Sequence, residues 1–282
     1  MIRKILSVFI ILLVICLILN SSSAKNYYSY NIVNYQENKY SISLGIWNTD
    51  LKGDTFAPST VFTTDLEDDL GFGNNKAFVS FDFNYMLSNL NSVGFSFFTG
   101  SHKAVRTQTR NITLPGEPSD VNVPAGTTVF SEIKYSAFDL YYRRYFSTES
   151  NYSFYSLIGT RFNNLKADFS TSTTDLASVF STSTTDLASI DFNVPVVYVG
   201  IGGDFRISDS IKAFYQIQGI PISISGEKVN YIEYKIGFDY KFTENWGLSI
   251  GYRYNSTKAE DDFSRSLKTR YQGFTAGLNG KF

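Results

Sequence analysis

In this 282-residue chain the side chains that could support chemistry are one histidine, one cysteine and a run of acids. His102 follows Ser101, and a Ser/His couple serves hydrolases that act on lipids or peptides when the base reaches the nucleophile. Neighbours along a strand point to opposite faces, so Ser101 and His102 are poorly placed to act together. Asp65, Glu67, Asp68 and Asp69 crowd four carboxylates into a short stretch, a set that could share a hard cation such as Ca²⁺. Their spacing is not that of an EF-hand loop, and a solvated acidic turn is the simpler reading. Cys16 stands inside an apolar run near the N-terminus, so no disulfide, thiolate metal site or cofactor is expected in the exported chain.

The elements that would position these groups begin with an export signal. Arg3 and Lys4 precede an apolar run from Ile5 to Leu19, and the small residues Ser22 and Ala24 follow. That order predicts a signal peptide over 1–24 with cleavage after Ala24, a periplasmic segment over 25–38 and a folded domain over 39–282. The alternative of a retained helical anchor suffers because the run is shorter than the roughly 20 residues that span a bilayer. Of 25 Lys and Arg, Arg3 and Lys4 leave with the signal, setting 23 bases against 26 acids; no nucleic-acid partner follows from that balance.

Past Leu19 no segment has the length and apolarity of a membrane helix, yet aromatics make up 17% of the chain. A crossing by strands requires a closed barrel, because an open edge would leave backbone groups unsatisfied in hydrocarbon. The period-two signal agrees. Ile232, Tyr234, Ile236, Phe238, Tyr240 and Phe242 alternate with Glu233, Lys235, Gly237, Asp239 and Lys241. The same code runs through Trp246 to Tyr254 and through Phe274, Ala276 and Leu278, and more weakly through earlier segments. One face suits lipid and the other a polar interior.

Ten strands are expected, with eight or twelve as the alternatives because Tyr152 to Phe162 and Ile211 to Gly219 are ambiguous. Short turns at Ser88 to Ser92, Ser147 to Asn151, Ser208 to Ser210 and Thr243 to Asn245 alternate with longer connections. The latter are placed at Asn48 to Asn75, Lys103 to Ser131, Asn163 to Ser189, Gly219 to Val229 and Asn255 to Thr269. The fold class is thus an all-β antiparallel transmembrane barrel with short periplasmic turns and long extracellular loops. A soluble β-sandwich would share the alternation but not the loop asymmetry.

On this reading Asp82, Asp139, Arg143, Arg161, Asp204, Glu233, Lys235, Asp239 and Arg253 face the lumen. Both signs are present, so a filled interior of paired charges is expected, because a lone buried charge is costly. Tyr40, Tyr85, Tyr142, Tyr240, Trp246 and Tyr254 fall near strand ends on the outer face, where amphipathic rings suit the headgroup level. A tandem copy of STSTTDLAS, at 170–178 and 181–189, reads as a solvated loop that tolerates insertion.

The signal peptide, the dyad strands and a final amphipathic strand ending in Phe282 resemble bacterial outer-membrane β-barrel proteins. The resemblance implies that Phe282 is the mark read by the barrel-insertion machinery. Thr64 to Phe72, TDLEDDLGF, is similar to a D-L-x-x-D-L-G element of some small barrels without an assigned function. Likeness to the omptin surface proteases stops at strand number, because His102 lacks the acid two residues before it that their Asp/His pair implies. The expected role is non-catalytic: a monomeric structural or surface-interaction barrel with long loops for an extracellular ligand. Its partners would be outer-membrane lipid and lipopolysaccharide. A narrow pore for small solutes and a surface hydrolase are the alternatives.

Overall fold

The computed structural model describes residues 39–59, 63–73, 75–116, 119–148, 151–174, 182–221, 228–260 and 264–282. The signal peptide, the periplasmic segment over 25–38 and the centre of the tandem repeat lie outside the described residues. The described residues form thirteen strands: β1 Tyr40–Phe56, β2 Thr63–Asp65, β3 Lys76–Ser88, β4 Asn91–Thr107, β5 Ile112–Leu114, β6 Val121–Val123, β7 Thr128–Thr148, β8 Tyr152–Thr174, β9 Thr182–Arg206, β10 Ile211–Pro221, β11 Lys228–Lys241, β12 Trp246–Glu260 and β13 Ser266–Lys281. Ten of them form the wall in the order β1-β3-β4-β7-β8-β9-β10-β11-β12-β13, and β13 pairs back onto β1 from Ser41↔Lys281 to Phe56↔Ser266. Every ladder is antiparallel. The three short strands β2, β5 and β6 belong to the loops at one end.

Closure leaves the sheet with no edge in its lower part, and there the outer face is greasy. Ile236 is 58% exposed, Ile250 61% and Phe274 73%, and Leu44, Ile46, Val79, Phe97, Val199, Ile201 and Ile217 join them in a belt. A belt of that extent is a lipid contact, since soluble monomers rarely expose contiguous apolar patches beyond a few hundred Å². In β11, β12 and β13 the expected alternation holds residue by residue, and Glu233, Arg253 and Gly277 turn inward from Tyr234, Tyr254 and Leu278.

Above the belt the code reverses its phase. On β1 the outward set passes from Ile42, Leu44 and Ile46 to Asn48, Asp50, Lys52 and Asp54, while the inward set becomes Trp47, Thr49, Leu51 and Thr55. Phe78, Phe98, Tyr135, Leu165, Phe169, Phe192, Val196 and Tyr271 are the inward counterparts on other strands, all buried in one core with Leu66, Leu70 and Phe72 of the first loop and Leu114 and Val123 of the second. The barrel therefore has two storeys: a lower one built for oil outside, and an upper one built for water outside and oil within.

That reversal corrects the expected strand ends. The wall runs on into all five stretches read as connections: β1 to Phe56, β4 to Thr107, β8 to Thr174 with β9 restarting at Thr182, β10 to Pro221 and β12 to Glu260. Polar residues at outward positions mimic loop composition there, although they are strand residues facing water. The correction reaches the repeat as well, since its described parts pair with one another, Thr171↔Thr185 and Thr174↔Thr182, instead of forming a loose loop.

The wall is also uneven in height. β7, β8 and β9 have 21, 23 and 25 residues, about twice what a bilayer crossing needs, whereas β10 has 11. The last pair between β9 and β10 is Val199↔Gly219. From Thr182 to Tyr198, among the described residues, β9 pairs with β8 alone.

Candidate functional site

The lower storey is filled by inward-facing side chains of β4, β7, β8, β11 and β12. Alternation puts Asp139, Arg161, Glu233 and Arg253 on the inner face of four different strands, and closure brings them together. Arg161 donates from Nε and Nη2 to the two oxygens of Asp139, both at 2.6 Å, and from Nη1 to Glu233 at 3.0 Å. Glu233 also accepts from Arg253 Nη2 at 2.7 Å and Asn255 Nδ2 at 3.0 Å, with Lys235 Nζ at 3.4 Å. Ser96 donates to Asp139 at 2.9 Å. The Arg161 and Glu233 side chains have no exposure at all, so the pair has exchanged water for one another. Both guanidinium groups stack on rings as well: Arg161 lies 4.3 Å from the centre of Tyr231, and Arg253 4.2 Å from that of Phe98.

The inward ionisable residues do not form one continuous network. Asp204 and Asp239 share Lys212 nearer the short turns, at 3.2 and 3.3 Å. Arg143 stands between the two groups, donating to Gln216 at 3.2 Å with its guanidinium over Tyr141 and Tyr155. Asp82 is half-buried on the inner face of β3, opposite Ser43 and Ser96. The polar members Gln218 and Asn255 complete the upper group; Asn255 escaped the sequence reading, although it has the same parity as Arg253 one turn of the pleat away.

Directly above sits an aromatic layer of Trp47, Phe78, Phe98, Tyr135 and Tyr271, with ring centres between 5.0 and 6.5 Å apart. Inward glycines make room for such rings: a Cβ on Gly100 would strike the Phe78 ring, as one on Gly202 would strike Tyr155. His102 belongs to this layer. It is buried, with Nε2 2.8 Å from Thr49 Oγ1 and its ring against Phe78 and Tyr271. Ser101, paired in register with Lys134, faces the other way. No Ser/His couple is formed there, and the histidine is closed off from any substrate.

The acidic cluster is likewise put to structural use. Asp65 accepts from the backbone N–H of Glu67 and Asp68 at 2.8 and 2.7 Å, closing the turn. Glu67 pairs with Lys52 at 3.0 Å. Asp69 takes a two-pronged bond from Arg110, 3.0 Å from Nε and 2.7 Å from Nη2, and a further one from the N–H of Asp65. Burial acts to raise the Asp69 carboxyl, but Arg110 and the Asp65 amide outweigh it and hold the group below the ordinary carboxylate range. The Arg110 bonds tie the first loop to the second. Among the described residues no group of acids, His or Cys is arranged to hold a metal ion.

The outer aromatics lie in two tiers. Tyr40, Tyr85, Tyr240 and Trp246 are exposed beside the short turns, and Tyr142, bonded to Asn91 at 2.6 Å, is half-buried among them. Tyr254 stacks on Tyr234 with ring centres 4.7 Å apart, eight residues up β12, at the other rim of the belt. Phe282 packs on Tyr40 and Trp246, each at 5.6 Å, where the last strand meets the first.

Solved structures with this architecture include the outer membrane protease OmpT of Escherichia coli. It is 14% identical over 90% of this chain and 100% of its own, with a TM-score of 0.53. The translocator domain of the autotransporter NalP of Neisseria meningitidis is 10% identical, covering 89% and 91%, with a TM-score of 0.45. The chain has the closed ten-stranded fold of bacterial outer-membrane β-barrel proteins. No family model and no curated protein matches the sequence.

Proposed function

We propose that this protein is a non-conducting surface barrel whose upper storey presents the long β8–β9 hairpin and the knitted loops to ligands outside the cell. The observation that carries the reading is the double closure of the lumen. The buried Asp139–Arg161–Glu233–Arg253 group is one layer, and the aromatic floor of the upper storey is the next. A barrel of about 8 strands is wide enough only for side chains or one small ligand, and in these ten strands buried side chains stand where a water-filled path would run. The surface-interaction role is favoured over hydrolysis by the enclosure of His102 among rings.

On the same reading the first 24 residues direct export and are cleaved after Ala24, and Phe282 is the mark for barrel insertion. The barrel works as a monomer among lipid and lipopolysaccharide of the outer membrane. Strand extensions of this length are not needed to cross a bilayer, which is why display outside the membrane is the role they fit.

Two measurements test the proposal. In planar bilayers the purified barrel is expected to give no discrete conductance steps across a range of salt concentrations; steady single-channel openings would replace this reading with the pore. Cells displaying the protein are expected to adhere to matrix-coated surfaces, and deletion of 172–185 should reduce adhesion while the barrel still shifts its gel mobility on boiling. Equal adhesion by the deletion variant would sink the display role.

A further inference from the structure

Among the described residues, the upper part of β9 has a ladder neighbour on one side only. From Thr182 to Tyr198 it pairs with β8, and no described residue pairs with its other side. An edge of this kind offers a row of backbone N–H and C=O groups to any extended segment. Pro195, itself buried, identifies which backbone groups turn away from the β8 ladder. It pairs in register with Phe162, and lacking an N–H it is tolerated only where that position points away from the ladder. Asn193 and Asp191, two and four residues earlier on the same side of the bulge, have the same orientation, so their N–H groups point to the open side.

The two faces along this edge differ. Ala188, Ile190, Phe192 and Val196 are buried toward the apolar upper storey, whereas Asp186, Ser189, Asp191 and Asn193 are exposed on the outside. Charge is uneven as well. Asp168, Asp186 and Asp191 gather around Lys166, whose ammonium pairs with Asp168 at 3.1 Å and is held above its ordinary range first by that bond and then by the other two carboxylates. Lys134 also reaches Asp168, at 4.0 Å, so both bases centre on Asp168, and Asp186 and Asp191 carry the negative charge where an added strand would lie.

We infer that the β9 edge binds an extended peptide segment of a partner protein that alternates apolar and basic residues, adding it as a further antiparallel or parallel strand. Backbone bonds supply the docking, apolar residues continue the inner face, and basic residues meet Asp186 and Asp191. This rests on the display reading above and names its partner. The competing view is that Asp186, Asp191 and Pro195 protect the edge from pairing, in which case no strand docks.

The test uses the full-length protein folded in phospholipid nanodiscs and a labelled alternating Lys–Val peptide. Fluorescence anisotropy should show binding, and hydrogen exchange of the Asp191 and Asn193 amides should slow by about tenfold or more on addition of the peptide. An alternating Glu–Val peptide should not bind. Asn193→Pro removes one outward donor without touching the β8 ladder, so affinity should fall by about tenfold while boiling still shifts the gel mobility. Absence of binding, equal binding of a Lys–Val peptide interrupted by proline, or slow exchange at Asp191 and Asn193 before any peptide is added each overturns the inference. Adhesion separates this claim from the broader one. Loss on deleting 172–185 with retention in Asn193→Pro rejects the edge and keeps display, whereas retention in both rejects display.

Discussion

Removing the Glu233 carboxylate, as in Glu233→Ala, is the most direct probe of the lumen. The group holds Asp139 and Glu233 against Arg161, Arg253 and Lys235, and Glu233 contacts all three bases at 3.0, 2.7 and 3.4 Å. Without it Asp139 alone faces three cations, two of them with almost no access to water. Loss of one partner from a buried pair costs about 3–5 kcal/mol, because the charge left behind is neither solvated nor matched. With a denaturant slope of about 3 kcal/mol per molar urea, the unfolding midpoint in lipid vesicles should drop by about 1–1.7 M. Simultaneous replacement of Asp139, Arg161, Glu233 and Arg253 by apolar residues of similar volume should cost far less, since the base that then loses its carboxylate, Lys235, is partly exposed to water. A fall of under about 1 kcal/mol for Glu233→Ala alone would mean that water reaches the cluster, and the filled-lumen argument would be wrong.

Two further outcomes follow from the loops and the histidine. Because the Asp69 carboxyl is held below its unfolded value, the Arg110 tie contributes fully above the ordinary carboxylate pKa and fades as pH falls through the lower folded value. Protease cleavage of the 63–73 loop should therefore rise only in that acidic window, and Asp69→Asn should cleave readily at neutral pH with the dependence gone. His102, buried against Thr49, Phe78 and Tyr271, should resist diethyl pyrocarbonate in the folded barrel and react only after denaturation; rapid modification in the native state would reopen the hydrolase alternative.

Much of the lower storey was legible because lipid imposes one rule on every strand. Ile236 and Ile250 must face out, so Glu233 and Arg253 must face in, and parity alone predicts their meeting across β11 and β12. Parity also separated Ser101 from His102. Arg161 was harder, since both faces of β8 carry apolar residues between Tyr152 and Phe162: Leu157 points inward and Ile158 outward. The upper storey was misread because Trp47, Phe78 and Phe98 are aromatic at positions where the lower rule demands polarity, and Asp50 and Lys52 are charged where it demands oil. Read with one phase throughout, such stretches look like loops. The ties of the acidic run were hidden for a different reason: its partners Lys52 and Arg110 come from positions that only folding brings near.

The reversal of phase at the rim has a mechanical side. Sinking the barrel by one pleat would drag Asn48, Arg270 and their equivalents around the circumference into hydrocarbon, and raising it would strip acyl chains from Leu44, Ile250 and Phe274. Charges on the lipid face cost about 2–4 kcal/mol each at the midplane and little at the interface, so resistance grows with every ångström of travel. The chain carries its own waterline, and whatever pulls on the hairpin from outside works against a float that cannot bob.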